Sequence, residues 1–482
     1  MAIPAEAFLR EPGASGTLQQ QIREQVAAGV LSGRFRPGDR MPSCRALARH
    51  LGVARITVTL AYAELVAGDY LAARDRSGYF VSESAPAPLG RTEAAQADPV
   101  DWDRAIVPLD VARTGPIRPT DWRRYRYPFI YGQADAELFD YQNWRLCALR
   151  ALGLRDFEAL TADRYESDDP MLVDFVVRHI LPRRGIAARP EEVLLTLGAQ
   201  NALWITVELL LTPERTAAME EPGYPGLRAI LAAGGCRRTG IPIDADGLIV
   251  EDVPADVDVV YCTPGRHCPT NAPMSERRRG LLLERAATEG FVIVEDDYEI
   301  ALPGDGTSPA LKAMGGAGGV VHVGSFSKAL FPGLRLGYLV APEPFIRKAR
   351  ALRGLALRHP PGHIQRTVAY FLSLGHYDAQ LARIGRAYRS RRAAMSEAIE
   401  ANGLARASDA DGGSSFWMRA PEGVDADSLA EELRARDVLI EPGGVFFDPE
   451  MPDRRHYRLA YSSIPVERIG EGIARLASVI GR

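Results

Sequence analysis

Gly324-Ser325-Phe326-Ser327-Lys328-Ala329-Leu330-Phe331-Pro332-Gly333-Leu334-Arg335-Leu336-Gly337-Tyr338 is the stretch on which the reading of this 482-residue chain turns. The sequence holds three lysines, Lys312, Lys328 and Lys348, among 58 basic residues, so nearly every cation is an arginine. A guanidinium stays protonated, whereas a desolvated lysine amine can lose its proton and attack an aldehyde. Lys328 follows the apolar run Val320 to Val323, which predicts a buried strand and puts the amine at a strand end. Two hydroxyls, Ser325 and Ser327, precede it, and Arg335 follows seven residues on. Small donors and a fixed cation beside an amine suit an anchored phosphate next to a Schiff base. A lone S-x-S-K is also what a surface lysine on a turn looks like, so the longer context decides.

That context, S-F-S-K-A-L-F-P-G-L-R-L-G-Y over residues 325–338, resembles the pyridoxal 5'-phosphate lysine motif of fold-type I aminotransferases, in its MocR version. The resemblance implies that Lys328 is the catalytic lysine of the internal aldimine, with Ser325, Ser327 and Arg335 on the phosphate.

Length predicts two or three domains, since 482 residues exceed one ordinary core. Apolar residues at 46% and charged ones at 25% are the composition of a soluble globular protein. A net charge of −4 offers no global attraction to nucleic acid or membrane, so any DNA contact needs a local patch. Five cysteines without a CxxC pair fit a reducing cytosol and no structural zinc. With no signal pattern and no apolar stretch of about twenty residues, a cytoplasmic protein with no membrane partner is expected.

The first 85 residues carry ten arginines and no lysine against eight acids, a slightly basic segment in an acidic chain. Leu18, Ile22, Val26 and Val30 recur at helical spacing. Ser43 is placed to cap a helix carrying Leu47 and Leu51, and Gly52 to end it. A second helix from about 54 to 67 buries Val58, Ala61, Tyr62 and Leu65. Tyr70-Leu71 and Tyr79-Phe80-Val81 then read as a two-stranded wing. Residues 15–83 resemble the winged helix-turn-helix of GntR regulators, with G-x-x-x-P-G-D-R-M-P-S-C-R-A-L-A-x-x-L-G-V-A-R-I-T-V as its core. The resemblance implies DNA contacts from Ser43, Arg45, Arg55 and Thr57, and from the wing arginines Arg74 and Arg76. Ala54 stands where the family has a capping serine or threonine, a loss of roughly 0.5–2 kcal/mol.

The organisation expected is a DNA-binding domain over 1–84, an Ala/Pro/Ser-rich, partly disordered linker over 85–106, and an aminotransferase-like domain over 107–482. Alternating strands and helices predict an α/β fold there, three layers around a mostly parallel sheet. A small C-terminal α+β subdomain is expected from about 345. The arginine-rich run from Arg383 to Arg392 reads as a solvated face.

Further site residues follow by family position. Gly198, Ala199 and Gln200 open a helix after the strand at 193–197, where free amides suit a phosphate. Tyr224, after Glu221-Pro222-Gly223, would stack on the cofactor ring. Phe291-Val292-Ile293-Val294 predicts a strand buried on both faces, delivering Glu295-Asp296-Asp297-Tyr298 at its carboxyl end. The resemblance puts Asp296 on the pyridine nitrogen and Tyr298 on the ring oxygen; three acids in a row otherwise suggest magnesium. His267 stands where relatives carry an amide that bonds the ring hydroxyl, and Asn271 replaces their glycine. Arg458 matches the arginine that grips a substrate carboxylate, and Tyr131 and Gln133 are further ligand-site candidates.

A winged helix fused to an aminotransferase-like domain resembles the MocR/GabR-type subfamily of GntR regulators over nearly the whole chain. This implies a head-to-tail homodimer on a double-stranded operator that senses a small amino compound through an external aldimine at Lys328. The alternative is a working aminotransferase with a regulatory N-terminal domain.

Overall fold

The computed structural model describes residues 2–9, 16–75, 77–86, 100–106, 119–163, 165–299, 302, 308–314 and 319–481. Contacts divide the chain into two compact units, residues 1–108 and 109–482. No helix among the described residues is long and apolar enough to cross a membrane. Most of the expected linker, residues 87–99, lies outside the described residues.

Among its described residues, the first unit is built around three helices and a hairpin, with short helical turns at Ala5–Ala7 and Trp102–Ala105. Helix α1 (Leu18–Leu31) starts at Thr17, whose side chain accepts from the Gln20 amide. Helix α2 (Cys44–Leu51) starts at Ser43, whose hydroxyl accepts from the Ala46 amide at 3.1 Å. It stops at Gly52, where a φ of +64° suits a residue without a β-carbon. Helix α3 (Arg55–Ala67) begins at Ala54 with no side-chain cap. Val26, Leu47, Val58, Tyr62 and Leu65 share one buried cluster with Leu71 and Val81. Those last two pair across the wing, strands β1 (Leu71–Arg74) and β2 (Gly78–Val81), which run antiparallel.

The second unit is organised by eight strands: β3 (Val193–Thr196), β4 (Thr216–Glu221), β5 (Arg237–Asp244), β6 (Gly247–Leu248), β7 (Val259–Cys262), β8 (Val292–Asp297), β9 (Val320–Ser325) and β10 (Gly337–Val340). Their order in the sheet is β3–β10–β9–β8–β7–β4–β5–β6. From β9 to β5 all neighbours are parallel, while β10 opposes both of its neighbours and β6 opposes β5. Successive residues of one strand serve opposite layers. Ala217 and Met219 pack with α4 (Ala199–Leu210) and α5 (Pro225–Gly234), and Ala218 packs with α6 (Glu276–Glu289). This is the expected three-layer, mostly parallel α/β architecture.

At the exposed edge, α7 (Glu343–Leu357) is bolted to β3 by charge. Arg350 and Arg353 donate to the Asp168 carboxylate at 2.8 and 2.6 Å, and to the carbonyls of Val193 and Leu195. Asp168 in turn accepts from the Leu195 amide, so edge groups with no further strand to pair with are satisfied.

The C-terminal part forms its own three-stranded antiparallel sheet. Its strands are β11 (Ser415–Arg419), β12 (Glu441–Pro442) and β13 (His456–Ala460), in the order β11–β13–β12. Helices α8 (His376–Ala401), α9 (Ala426–Arg434) and α10 (Val466–Ile480) share its core with Tyr127 and Phe129. Arg458 therefore sits on a central strand.

The helical segment that starts at Pro170 is α-helical only to Phe175, widens into a π turn over 176–180, and tightens over 181–184. Pro182 has no amide to donate and crowds the preceding turn, so a regular α-helix cannot continue through it. One expectation needs correction: the arginine run of α8 is a solvated face only in part, with Arg386 and Arg389 exposed. Arg391 is buried, donating to the Ser462 carbonyl at 2.7 Å and to Asp135, while Arg392 donates to the carbonyls of Gly412 and Ala410. A guanidinium has five donors, enough to hold loop carbonyls that no strand reaches.

Asp168→Ala leaves Arg353 buried without its counter-charge. The expected loss is about 3–5 kcal/mol, read as a lower urea midpoint by circular dichroism, with no change in slope.

Candidate functional site

Lys328 lies in the loop that reverses the chain between β9 and β10. Its Nζ sits 3.7 Å from the centroid of the Tyr131 ring. Gly132 makes room for it: a β-carbon there would lie 2.5 Å from Nζ, and the backbone has φ +69°. The amine opens into a cavity of about 420 Å³ whose walls come from both parts of the second unit.

One end of that cavity is built for an anion. Ser325, Ser327 and Arg335 line it beside Ala199 and Gln200, the first residues of α4. Gly198 precedes them at φ +80° and brings no capping side chain, so the amides at the start of the helix have no side-chain acceptor. Gly198 itself stands behind the wall, its α-carbon facing the Arg335 guanidinium. The Ser327 hydroxyl is buried with no partner among the described residues.

A carboxyl waits midway. β8 alternates its acids: Glu295 meets His322 at 3.0 Å and the Leu311 amide, and Asp297 meets Arg184 at 2.6 Å. Asp296 points the other way, into the cavity, and its Oδ1 is buried without a partner. The three acids do not converge, as a shared metal would need. Burial first, then the nearby Asp297 and Glu220 carboxylates, push the Asp296 carboxyl up to about 8. Tyr224 and Tyr298 line the same cavity.

Arg458 closes the far end. Its guanidinium packs on the rings of Tyr131 and Phe446, 4.0 and 4.8 Å from their centroids. Nε donates to one oxygen of the buried Glu441 carboxylate at 2.8 Å, and Nη2 forms an ion pair with the same oxygen at 2.8 Å. This leaves the outer edge of the fork, Nη1 with the second hydrogen of Nη2, to face a ligand. The Tyr131 hydroxyl donates to Glu299.

Two expected ligand-site residues lie elsewhere. Gln133 lines a smaller recess on the other side of Lys328. His267 is buried behind the cavity wall, and Cys268 takes the lining position instead. Its Nδ1 bonds the Thr270 hydroxyl at 2.8 Å, and Nε2 faces Glu220 at 3.7 Å. Burial holds the imidazole neutral, lowering its pKa to about 3. Asn271 has φ +62°, which asparagine tolerates better than most residues, and it donates to the Ser415 carbonyl at 2.7 Å. It thus replaces a glycine with a tie to β11.

Sequence reasoning missed Gly132, Glu220, Phe446 and Glu441. Glu220 had a signal, since Glu220-Glu221 end a buried strand much as Asp296 does. Glu441 had none, because its pairing with Arg458 depends on the β12–β13 register.

In the first unit, Arg45 and Arg55 are exposed and Thr57 is partly so. Ser43 spends its hydroxyl on the helix cap. Arg74 stacks over Phe80 at 4.6 Å with a distant Glu83. Arg76 lies outside the described residues.

The family model for bacterial regulatory proteins of the gntR family matches residues 18–81, and that for aminotransferase class I and II matches residues 154–476. The HTH-type transcriptional regulator TauR of Rhodobacter capsulatus is 58% identical over the full length of both chains. The chain is a MocR-type regulator of the GntR family. The protein named "Probable rhizopine catabolism regulatory protein MocR" of Rhizobium meliloti is 27% identical, covering 96% of this chain and 93% of its own. Among solved structures, the α-aminoadipate aminotransferase LysN of Thermus thermophilus, complexed with N-(5'-phosphopyridoxyl)-L-leucine, is 29% identical. It matches with a TM-score of 0.70 over 79% of this chain and 98% of its own. This MocR-type chain is therefore a transcriptional regulator with an aminotransferase-like domain, a fold whose members depend on pyridoxal phosphate.

With no ligand in the cavity, Asp296 keeps a proton to about pH 8 and Glu220 to about pH 7, while both release it near pH 4 once unfolded. The folded state then binds more protons, so stability falls as pH rises through this window. His267 works oppositely, but only below its ordinary pKa of 6.5. Stability measured from pH 6.5 to 8 should decline, by at most about 1.4 kcal/mol per pH unit for each group, and Asp296→Asn should flatten the upper part.

Proposed function

We propose that this regulator holds pyridoxal 5'-phosphate at Lys328 and senses a small amino compound that carries an anionic group. The observation that carries the reading is the orphaned Asp296 carboxyl, which shares one cavity with the Lys328 amine and an anion cradle. Bound there, the cofactor supplies an aldehyde that takes up primary amines reversibly and a ring nitrogen that carries positive charge when protonated.

The chain's own residues divide the work. Ser325, Ser327, Arg335 and the amides at the start of α4 would hold the phosphate dianion with charge-assisted hydrogen bonds. Asp296 would give up its proton to the ring nitrogen, and the resulting ion pair would answer the burial that keeps the carboxyl neutral. Tyr224 would cover the ring, and Tyr298 would donate to its oxygen. Gly198 acts through its backbone, letting α4 begin against Arg335. His267 supports the wall as a neutral group behind Glu220.

Lys328 would provide the amine that holds the cofactor's aldehyde. Arg458 would receive the ligand's carboxylate or sulfonate on the outer edge of its fork, with Tyr131 and Glu441 holding that fork still. Gln133 would sense the ligand from the adjoining recess.

The regulator would act as a homodimer in the cytoplasm, presenting paired winged helices to a double-stranded operator. Ligand binding shifts DNA affinity only by its differential affinity for two states, typically about 1–3 kcal/mol. The convergence of Lys328, Asp296 and Arg458 also suits amine transfer, so a half-reaction with a panel of amino acids is the companion assay.

Lys328→Ala should abolish the visible absorption band and any tagging by borohydride. It should also remove the response of DNA binding to ω-amino carboxylates and amino sulfonates, while basal DNA binding survives. A variant that still responds to the same compounds would overturn the reading.

A further inference from the structure

We propose that the first unit reads its operator through thymine methyl groups, contacted in the major groove by Ile56 and Leu60 of α3. The inference rests on DNA binding by the GntR unit and is independent of the cofactor.

Helix α3 buries Val58, Ala61, Tyr62 and Leu65 in the core of its unit. Its opposite side carries Ile56 and Leu60, which stay 62% and 47% exposed. Scattered apolar residues on a surface need no explanation. These two lie four residues apart, so they form one stripe along the outward face of the recognition helix.

That stripe is poor in hydrogen-bonding side chains. Thr59 turns its hydroxyl back to the Arg55 carbonyl at 3.0 Å. Glu64 is held aside by Arg23 at 2.7 Å and Gln19 at 2.8 Å. Ala63 is exposed next along the helix. Among the residues of α3, Arg55 alone has a side chain suited to bidentate recognition of a base edge.

In the major groove, each base pair offers donors and acceptors, but only thymine adds an apolar group, its 5-methyl. Two branched apolar side chains on the groove-facing side of the helix match that group and no other base feature. The surrounding charge fits the same occupant. Exposed Arg45 and Arg49 on α2 stand with Arg55 to meet phosphates, and they would repel the like face of a second copy.

The test uses the full-length protein and a randomised duplex pool. The duplex it enriches is compared with the same duplex carrying deoxyuridine in place of every thymine. Each contacted methyl removed should weaken binding about 4-fold, so two should cost about 16-fold. Ile56→Ala with Leu60→Ala changes exposed residues to a better helix former, so the unit stays folded. That variant should bind the thymine duplex more weakly and no longer distinguish it from the deoxyuridine form. Equal binding of the two duplexes by the unaltered protein would overturn the proposal. So would a methyl preference that survives in the variant, or binding without any enrichment, which phosphate contacts alone would give.

Discussion

Side chains on a strand point alternately to its two faces, and β8 uses that alternation to separate three adjacent acids. Glu295 and Asp297 go to one side, where His322 and Arg184 compensate them. Asp296 goes to the other, with no cation in hydrogen-bonding contact and an oxygen that no protein group answers. A buried carboxyl in that state stays protonated until a group that can take the proton and pair with the carboxylate comes to meet it. The cavity's chemistry follows from this one unmatched group, and the parallel sheet places it where loops from several strands converge.

The near-absence of lysine serves the same end. Arginines do the structural work: Arg353 with Asp168, Arg391 with loop carbonyls, Arg184 with Asp297. None of these can give up a proton and attack an aldehyde. Of the other lysines, Lys312 is tied to the Val320 carbonyl at 2.9 Å and Lys348 lies exposed on α7. An aldehyde entering the second unit thus finds Lys328 as the amine lining the cavity.

The features legible in the sequence were those set by local pattern. Buried strands announced themselves as apolar runs, and both units carried long motifs that fixed their architecture. Lys328, Asp296, Tyr224, Tyr298, Arg335 and Arg458 all reached the cavity because each follows a strand or lies on one whose register the motif carries. What failed depended on side-chain contacts that no local pattern announces, whether three residues away or far along the chain. His267 aligned with a ring-contacting amide, yet its side chain turns to Thr270 and leaves Cys268 on the wall. The arginines of α8 looked solvated because the carbonyls they hold lie about 20 and 70 residues further along the chain.

Glu441 changes what kind of selectivity Arg458 can offer. An isolated buried guanidinium would attract anions by charge and discriminate little among them. Here the charge is already answered inside the protein, by a carboxylate bonded to Nε and Nη2. An incoming anion would gain mainly the hydrogen bonds of the outer edge, whose direction is restrained by the packing of Tyr131 and Phe446 on the guanidinium. It also meets the repulsion of Glu441 if it reaches past that edge. Under the proposed function, the pair would favour ligands whose amine and acid are spaced to reach Lys328 and the edge together. Length and geometry, more than charge, would then be what the site discriminates.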